Sequence, residues 1–326
     1  MPHRALITGA SGFVGGFLAE HLLAAGDQVL GCSPDGRWTE SSPVGLRDRV
    51  ELIAWDLGAP EGTPDALWQR IRSFRPDVIY HLAAVSTPEH CGSEEPTAAA
   101  VAVNVGGTRR VLQLAASLPT PPRVLVVSSS HVYGLPEAEC FRVAESTPLA
   151  PRSAYGRTKL AAEKEAHRAV CELGCDVVIA RPFQHGGPRQ TAPVMLADWA
   201  RQLSRADSAP IKVRTCNAYV DLSDVRDVVA AYRLLVEHGV RGEVYNVGSG
   251  VNRRTGDILS LMCRIAGQER RIVELYPGRK QEPIADVTRL VRATGWSRAI
   301  ALEQTLADTL AWWREHGRGL CLSAEK

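Results

Sequence analysis

The stretch LITGASGFVGG, residues 6–16, decides the predicted fold of the N-terminal half of the chain. It begins as a short apolar strand, turns at Gly9 and Gly12, and enters an amphipathic helix at Gly15. Glycine permits a tight turn and close backbone approach, and the first turn of a helix presents unpaired N–H groups. The stretch therefore predicts a strand–turn–helix unit that binds the pyrophosphate of a dinucleotide.

Hydrophobic runs of strand length recur along the chain, and most are separated by segments of helix length. They are ALIT (5–8), QVLGCS (28–33), RVELIAWDL (49–57), PDVIYHLA (76–83), RVLVVSSS (123–130), CDVVIARPF (175–183) and EVYNVGS (243–249). Such nearly continuous apolar strands are typical of a parallel sheet covered by helices on both faces. The pattern predicts an α/β fold, a Rossmann-type doubly wound parallel sheet with a smaller C-terminal substrate-binding lobe.

The domain boundaries are predicted from the place where this alternation loosens. We expect residues 1–182, with 220–248 returning, to form the dinucleotide-binding domain. Loop-rich residues 183–219 and 249–316 are expected to form the lobe, and residues 317–326 a tail. In doubly wound folds the ligand lies beyond the carboxyl ends of the strands, which is where such a lobe would sit.

The composition excludes several classes of function. The 38 Lys and Arg nearly balance 36 Asp and Glu, and no basic stripe follows the chain, so we expect no nucleic-acid partner. No apolar run reaches membrane-spanning length, and the N-terminus lacks the apolar core of a secretory signal, which favours the cytoplasm. The eight cysteines show no metal-ligand spacing, so we expect no metal site.

The end of the second strand bears on the choice of dinucleotide. An acidic residue there accepts the ribose hydroxyls of NAD, whereas a small polar residue near an arginine suits the 2′-phosphate of NADP. This chain has Ser33 at that position and Arg37 shortly after it. We therefore expect NADP(H) to be favoured over NAD(H), although Asp35 leaves NAD(H) open.

Tyr155 and Lys159 in SAYGRTK (153–159) lie four residues apart and so share one face of a predicted helix. A nearby ammonium group favours the phenolate, and we expect the tyrosine pKa to fall by about 1–3 units. The fifth strand ends in VVSSSHVYG (126–134), which places serine hydroxyls at the same edge of the sheet. A serine there can donate to a carbonyl oxygen as it gains alkoxide character.

In this order, these motifs resemble the extended short-chain dehydrogenase/reductase family, the NAD-dependent epimerase/dehydratase group. The motifs that carry the resemblance are TGASGFVG, HLAAVS, NVGGT, SSSHVYG, YGRTK, RPFQHGGP, DLSDVRDVV and YNVGSG. The resemblance implies that Ser129, Tyr155 and Lys159 are catalytic. With Ser33 and Arg37, the expected cofactor contacts are Gly9, Ser11, Gly12, Phe13, Val14, Gly15, Asp56, Leu57, Leu82, Ala83, Ala84, Asn104, Tyr155, Lys159 and Pro182. The expected substrate contacts are Ser86, Ser130, His131, Gln184, His185, Arg189, Arg214 and Arg279.

Within that family the chain looks most like GDP-4-keto-6-deoxy-mannose reductases. The resemblance implies an NAD(P)-dependent oxidoreductase for a sugar or nucleotide sugar, a 4-keto-sugar reductase with a Ser/Tyr/Lys triad. A nucleotide-sugar 4-epimerase with tightly bound NAD uses the same triad and stays open. A 4,6-dehydratase of this group has a glutamate where this chain has His131, and a non-catalytic nucleotide-binding protein is disfavoured by the intact triad.

Two departures from the family pattern concern the substrate, and one further match concerns assembly. Gln184 stands where the family has asparagine, and Val220 where it has an arginine that pairs with the diphosphate. Either another arginine compensates, Arg279 above Arg189 and Arg214, or the substrate is not a typical nucleoside diphosphate sugar. The helices predicted at 96–116 and 153–170 match those of a four-helix dimer interface in the family, so we expect a homodimer.

Overall fold

The computed structural model describes residues 2–40, 42–59, 64–134, 142–205 and 207–320. The strands, in chain order, are β1 (Arg4–Thr8), β2 (Gln28–Ser33), β3 (Glu51–Ala54), β4 (Val78–His81), β5 (Arg123–Val127), β6 (Arg142–Val143), β7 (Val177–Pro182), β8 (Gln184–Gly186), β9 (Ile211–Val213), β10 (Ala218–Asp224), β11 (Val244–Val247), β12 (Asn252–Arg254), β13 (Ile272–Glu274), β14 (Lys280–Gln281) and β15 (Ile284–Ala285).

The α-helices are α1 (Phe13–Ala24), α2 (Val44–Arg47), α3 (Asp65–Phe74), α4 (Pro88–Cys91), α5 (Ala98–Val101), α6 (Gly107–Ser117), α7 (Ala154–Glu172), α8 (Met195–Leu203), α9 (Val225–His238), α10 (Thr255–Ala266), α11 (Thr288–Thr294) and α12 (Leu302–Leu320). A π-helical turn (Ala102–Gly106) joins α5 to α6, and a 3₁₀ turn (Ser130–Tyr133) follows β5.

The main sheet contains seven parallel strands in the order β11-β7-β5-β4-β1-β2-β3. These are the seven strands that the hydrophobic runs predict, so the predicted α/β class is confirmed. The strand order reverses between β1 and β4, where connections leave in opposite directions and a crevice opens at the carboxyl edge. The glycine turn that follows β1 lies at this edge.

Helices cover both faces of the main sheet, which explains why its strands are apolar on both sides. One face is packed by α1, α9 and α11 around buried Leu18, Tyr232 and Leu290. The opposite face is packed by α3, α6 and α7 around buried Ile71 and Leu112. The two apolar layers hold the strand ends in a fixed register.

A smaller lobe with its own core is built from later segments of the chain. Its sheets are β12-β10-β14, with β8 paired to β10, and the pair β13-β9. Helices α8, α10 and α12 enclose a separate cluster that contains Trp199, Met262 and Trp313. Because β8 follows directly from the carboxyl end of β7 and pairs with β10, the lobe stands over that edge.

The segments that form each layer differ in detail from the predicted boundaries. Residues 218–224 form β10 of the lobe, so the return to the main layer begins at α9 rather than at 220. Helix α11 lies within the predicted lobe range 249–316, yet its Leu290 packs in the core of the main layer. Helix α12 continues through 320, beyond the predicted start of the tail, and residues 321–326 lie outside the described residues.

Candidate active site

A cavity of about 800 Å³ opens at the carboxyl edge of the main sheet and extends beneath the lobe. Most of the site residues predicted from the sequence line it. They are Gly9, Ser11, Gly12, Phe13, Val14, Gly15, Ser33, Asp56, Leu57, Leu82, Ala83, Ala84, Ser86, Ser129, Ser130, His131, Tyr155, Lys159, Pro182, Gln184 and His185.

The glycine turn forms one wall of this cavity and leaves no room for side chains at two positions. Gly9 has φ +74°, and a Cβ there would lie 2.9 Å from the backbone of Ala83. A Cβ on Gly15 would lie 2.1 Å from the carbonyl oxygen of Gly9. These glycines therefore let β1, β4 and α1 approach one another closely.

The first turn of α1 faces the cavity without an acidic residue and, among the described side chains, without a capping hydrogen bond. Helix N-termini in that state offer N–H groups and a partial positive charge to an anion. The arrangement fits the pyrophosphate of a nicotinamide dinucleotide, which would be held by the backbone of residues 11–15.

The residues expected to select the dinucleotide form a small hydrogen-bonded turn after β2. The Ser33 hydroxyl accepts a hydrogen bond from the Arg37 backbone N–H (3.0 Å) and donates to Asp35 (3.2 Å). Ser33 is buried and lines the cavity, whereas Arg37 and Asp35 are exposed and do not. The structure thus places Ser33 in the cavity and holds Arg37 beside it.

A buried histidine that the sequence analysis did not single out supports the glycine turn from below. His81 contacts the Thr8 hydroxyl through Nδ1 (2.7 Å) and the Thr108 hydroxyl through Nε2 (2.9 Å). Because Thr108 donates to the carbonyl of Asn104, it accepts from Nε2, which leaves Nδ1 as the acceptor for Thr8. Burial lowers the pKa of His81 to about 3, so the ring stays neutral.

The predicted triad is assembled in the middle of the cavity. Ser153 caps α7 by accepting the Gly156 N–H (3.1 Å), and this start of the helix directs Tyr155 and Lys159 into the site. The Lys159 Nζ lies 5.8 Å from the centre of the Tyr155 ring and donates to the Val127 carbonyl (2.8 Å).

The protonation states differ from the expectation in one respect. The pKa of Tyr155 is raised rather than lowered, because burial of the phenol outweighs its hydrogen bond to Ser129. Burial also lowers the pKa of Lys159 to about 8. The tyrosine therefore carries its proton at neutral pH, and the lysine keeps its charge only below about pH 8.

Beneath the triad lies a buried ion pair that the sequence analysis also missed. Both Glu163 oxygens accept from Arg181 (2.8 and 2.7 Å), and the two side chains are 2% and 4% exposed. Glu163 also accepts a short hydrogen bond from Ser128, which lines the cavity beside Ser129. The available signal was the spacing of Glu163, one helical turn after Lys159.

Two histidines stand at the substrate end of the cavity. The His131 ring meets the Tyr155 ring edge to face at 5.6 Å, and its Nδ1 lies 3.4 Å from the Ser153 hydroxyl. His185 donates through Nδ1 to the Phe183 carbonyl (2.8 Å) and stacks on Phe13. Desolvation in the cavity lowers the pKa of the half-buried His185 and of His131, which is an exposed residue, so both are neutral at pH 7.

The arginines proposed as replacements for the one lost at Val220 do not line this cavity. Arg189 makes a bidentate ion pair with Glu20 (2.9 and 2.6 Å) and covers the Phe17 ring. Arg214 and Arg279 lie over the rings of Tyr276 and Tyr219. Among the described residues that line the cavity there is no arginine.

Asn104 is likewise placed behind the cavity wall. Its side chain accepts from the Val85 N–H (2.7 Å) and donates to the Val85 carbonyl and the Thr158 hydroxyl (both 2.9 Å). Its side-chain hydrogen bonds tie the loop after β4 and α7 to the π-helical turn, so Asn104 supports the cavity wall instead of lining it.

The substrate end contains residues that sequence patterns did not indicate. The lobe contributes Gln190, Thr191, Val194, Glu282 and Pro283 from its loops and Asp221 from β10. Asp221 is held by the N–H groups of Ser249, Gly250 and Ala285, so it fixes loops. Glu282 brings a carboxylate into this end, where it pairs with Lys280 at 2.5 Å.

Within the described ranges, no three His, Cys, Asp or Glu side chains are grouped to hold a metal ion. No helix in the same ranges combines the length and apolar character that crossing a membrane requires.

Known proteins resemble this chain over nearly its whole length. The chain is 31% identical to the GDP-6-deoxy-D-mannose reductase of Pseudomonas aeruginosa, over 98% of this chain and 99% of that one. It is 29% identical to the UDP-glucose 4-epimerase of Mycolicibacterium smegmatis, over 95% and 98% of the two chains. The solved structure of RMD from Pseudomonas aeruginosa complexed with NADPH matches with a TM-score of 0.80 and 30% identity, over 96% and 99%. Residues 5–248 match the model of the family described as the NAD dependent epimerase/dehydratase family. The chain therefore belongs to the NAD dependent epimerase/dehydratase family.

Proposed function

We propose that the protein reduces the C4 ketone of a nucleotide-linked sugar and uses NADPH in preference to NADH. The observation that carries the proposal is the arrangement of three side chains in the cavity, where Tyr155 hydrogen-bonds Ser129 and the Lys159 Nζ lies 5.8 Å from the centre of the Tyr155 ring. Burial keeps the Tyr155 phenol protonated at neutral pH. A protonated phenol is the state required to donate a proton to a carbonyl oxygen. The reductase and NADPH-bound structure among the relatives support the direction and the cofactor.

Each member of the triad has a separate task in this reaction. NADPH, when bound, would supply a hydride to the carbonyl carbon. Tyr155 donates its proton to the carbonyl oxygen as that oxygen becomes a hydroxyl, and Ser129 donates a hydrogen bond to the same oxygen. Lys159 stabilises the phenolate that remains, because its ammonium lies over the ring. Solvent then returns the proton to Tyr155.

Ser33 supports the preference for NADPH. The last residue of β2 carries a hydroxyl where a carboxylate would repel a 2′-phosphate, and the neighbouring Asp35 is exposed and does not line the cavity. The backbone of Arg37 is fixed against the Ser33 hydroxyl. The matching measurement is a calorimetric titration with NADP⁺ and then NAD⁺. Tighter binding of NADP⁺ supports the proposal, and tighter binding of NAD⁺ overturns the cofactor preference.

The test of the reaction is an assay of NADPH oxidation with GDP-4-keto-6-deoxy-D-mannose, with the product identified by mass spectrometry. We expect a product that is two hydrogens heavier than the substrate, with one NADPH consumed for each product molecule. The epimerase relative favours a second candidate. If the protein is a 4-epimerase, the purified protein is expected to retain NAD and to interconvert UDP-glucose and UDP-galactose without added cofactor.

A homodimer formed through α6 and α7 is the second part of this proposal. The two helices lie side by side on the outer layer of the main sheet, and Val101 at the end of α5 is 44% exposed. Small residues precede α6, which allows another helix to approach closely. Sedimentation equilibrium is expected to give twice the chain mass, and a monomer at micromolar concentration contradicts the proposal.

A further inference from the structure

The buried pair of Glu163 and Arg181 calls for an explanation other than stability. Removing two charges from water is unfavourable, and an apolar pair of similar volume often stabilises a core at least as well. Here the pair is almost fully buried and makes two direct hydrogen bonds at 2.7 and 2.8 Å. Its place in the fold, at the junction of α7, β7 and β5, indicates what it does.

On one side the pair contacts the strand end that carries Ser129. The Ser128 hydroxyl donates to Glu163, and the Ser128 N–H donates to the Ala180 carbonyl (2.7 Å). Ser128 is thereby fixed through both its side chain and its backbone. Since Ser129 is the next residue, its position in the cavity follows from these two hydrogen bonds.

On the other side the pair holds the 3₁₀ turn that carries His131. Arg181 donates to the Tyr133 hydroxyl (2.9 Å), which in turn donates to the Asn246 side chain (2.7 Å). The guanidinium also covers the Tyr133 ring at 5.0 Å. Both ends of the Ser129–Tyr133 segment are therefore anchored to one ion pair.

Glu163 also bears on the charge of Lys159. It follows Lys159 by one turn on the buried face of α7, so its carboxylate lies on the same side of the helix. The other titratable groups that face Lys159 are Tyr155 on its own helix, Cys91 at the end of α4 and His81 at the end of β4. His81 is neutral, and Glu163 is the carboxylate among these groups.

We propose that the Glu163–Arg181 pair is the positioning unit of this site, holding the Ser129 strand end in place and providing the counter-charge for Lys159. Neither residue touches the reacting atoms. The kinetic part of the test below rests on the proposed reductase function. The Lys159 titration is independent of that function.

The direct test is a titration of Lys159 by NMR with ¹³C-labelled lysine. The chain has only five lysines, at positions 159, 164, 212, 280 and 326, so each signal can be assigned by substitution. The wild-type signal is expected to titrate near pH 8. Glu163→Gln keeps the shape of the side chain and removes its charge, and we expect the Lys159 midpoint to fall by up to about one pH unit.

The activity of the same variant supplies an independent readout. A midpoint one unit lower reduces the charged fraction of Lys159 at pH 8 by about fivefold. The alkaline limb of the kcat profile is therefore expected to move to lower pH in Glu163→Gln, while the affinity for NADP⁺ changes less than about twofold. Glu163→Asp keeps the charge, and the alkaline limb of its kcat profile is expected to lie close to that of the wild type.

A matched control separates positioning from stability. Asp27 and Arg233 form another ion pair with a buried carboxylate (3.2 Å), at the opposite edge of the sheet. Neutralising this pair with Asp27→Asn and Arg233→Met is expected to lower the melting temperature and leave the Lys159 midpoint unchanged. If Glu163→Gln does not fold, the double variant Glu163→Gln, Arg181→Met removes both charges and is expected to shift the midpoint in the same direction by a smaller amount.

An unchanged Lys159 midpoint in the folded Glu163 variants overturns the proposal and leaves the pair a purely structural one. If the wild type reduces no keto sugar but the midpoint shifts as expected, the proposed function fails and the positioning unit stands.

Discussion

The two ends of the cavity are built in different ways. At the cofactor end, the side chains and N–H groups come from the carboxyl ends of six strands, the first turn of α1 and the start of α7. The six strands are β1, β2, β3, β4, β5 and β7. At the substrate end, they come from loops of the lobe, including residues 190–194 and 282–283. Strand ends in one sheet share a register, whereas each loop is positioned by its own contacts.

Charge distinguishes the two ends as well. The cofactor end offers the uncapped N-terminus of α1 and the Lys159 ammonium, both suited to an anionic dinucleotide. The described lining of the substrate end has a carboxylate at Glu282 and no arginine. A diphosphate bound there would depend on groups outside this lining. Substitutions at each end of the cavity test how far the two ends act separately.

The largest effect is expected where the two ends meet, at Tyr155. Tyr155→Phe removes the proton donor, and kcat is expected to fall by about 10²- to 10⁴-fold with NADP⁺ affinity retained. Tyr80→Phe is the matched control, because its buried hydroxyl has no partner among the described residues and lies away from the cavity. Equal kcat values in the two variants would show that Tyr155 is not the acid.

A smaller effect is expected at the cofactor end. Ser33→Asp places a carboxylate beside the expected 2′-phosphate, and like charges repel at short distance. The affinity for NADP⁺ is expected to fall about tenfold or more, and NAD⁺ is expected to bind as well as before or better. Calorimetry on Ser33→Asp and on Ser33→Ala separates added charge from lost hydroxyl. An unchanged NADP⁺ affinity would remove Ser33 from the selection.

The pH dependence of kcat is expected to report on Lys159. Its pKa is lowered to about 8, so the ammonium is charged below that pH and is lost as the pH rises through it. Activity is therefore expected to be flat near neutrality and to decline by about tenfold per unit well above pH 8. Tyr155 adds no decline at neutral pH, because its raised pKa keeps it protonated. A profile that still rises at pH 9 contradicts this assignment.

The smallest effect on catalysis is expected at Arg189. Its ion pair with Glu20 is partly exposed and its guanidinium covers Phe17 at 3.6 Å, so Arg189→Ala is expected to lower stability by about 1 kcal/mol. The KM for the keto sugar is expected to change less than about twofold. Thermal unfolding and steady-state kinetics check both parts, and a tenfold increase in KM would return Arg189 to the substrate site.

The sequence predicts the cofactor end well because its determinants are local. The strand, the turn at Gly9 and the helix after it lie within a few residues, and apolar periodicity marks every strand of the main sheet. The helix with Tyr155 and Lys159 is also read from i, i+4 spacing. Once the strands are parallel and in order, these residues are brought to one edge.

The rest of the site depends on contacts between residues that are far apart in the sequence, and no local pattern encodes such contacts. Glu282 reaches the cavity because β14 pairs with β10, and Arg189 is drawn away by Glu20, which lies 169 residues earlier. The raised pKa of Tyr155 follows from burial by segments that approach only in the folded chain. The chain returns to the main layer at α9 rather than at the predicted residue 220, because β10 pairs with strands of the lobe.

The central claim is that a hydride reaches a sugar carbonyl while Tyr155 supplies the proton. The most direct measurement is reduction of GDP-4-keto-6-deoxy-D-mannose with NADPH deuterated at the transferred position, followed by mass spectrometry and NMR of the sugar. We expect one deuterium at C4 of the product formed by the wild type, and almost no deuterated product from Tyr155→Phe over the same reaction time. A wild-type product without deuterium, or equal transfer by both proteins, would contradict it.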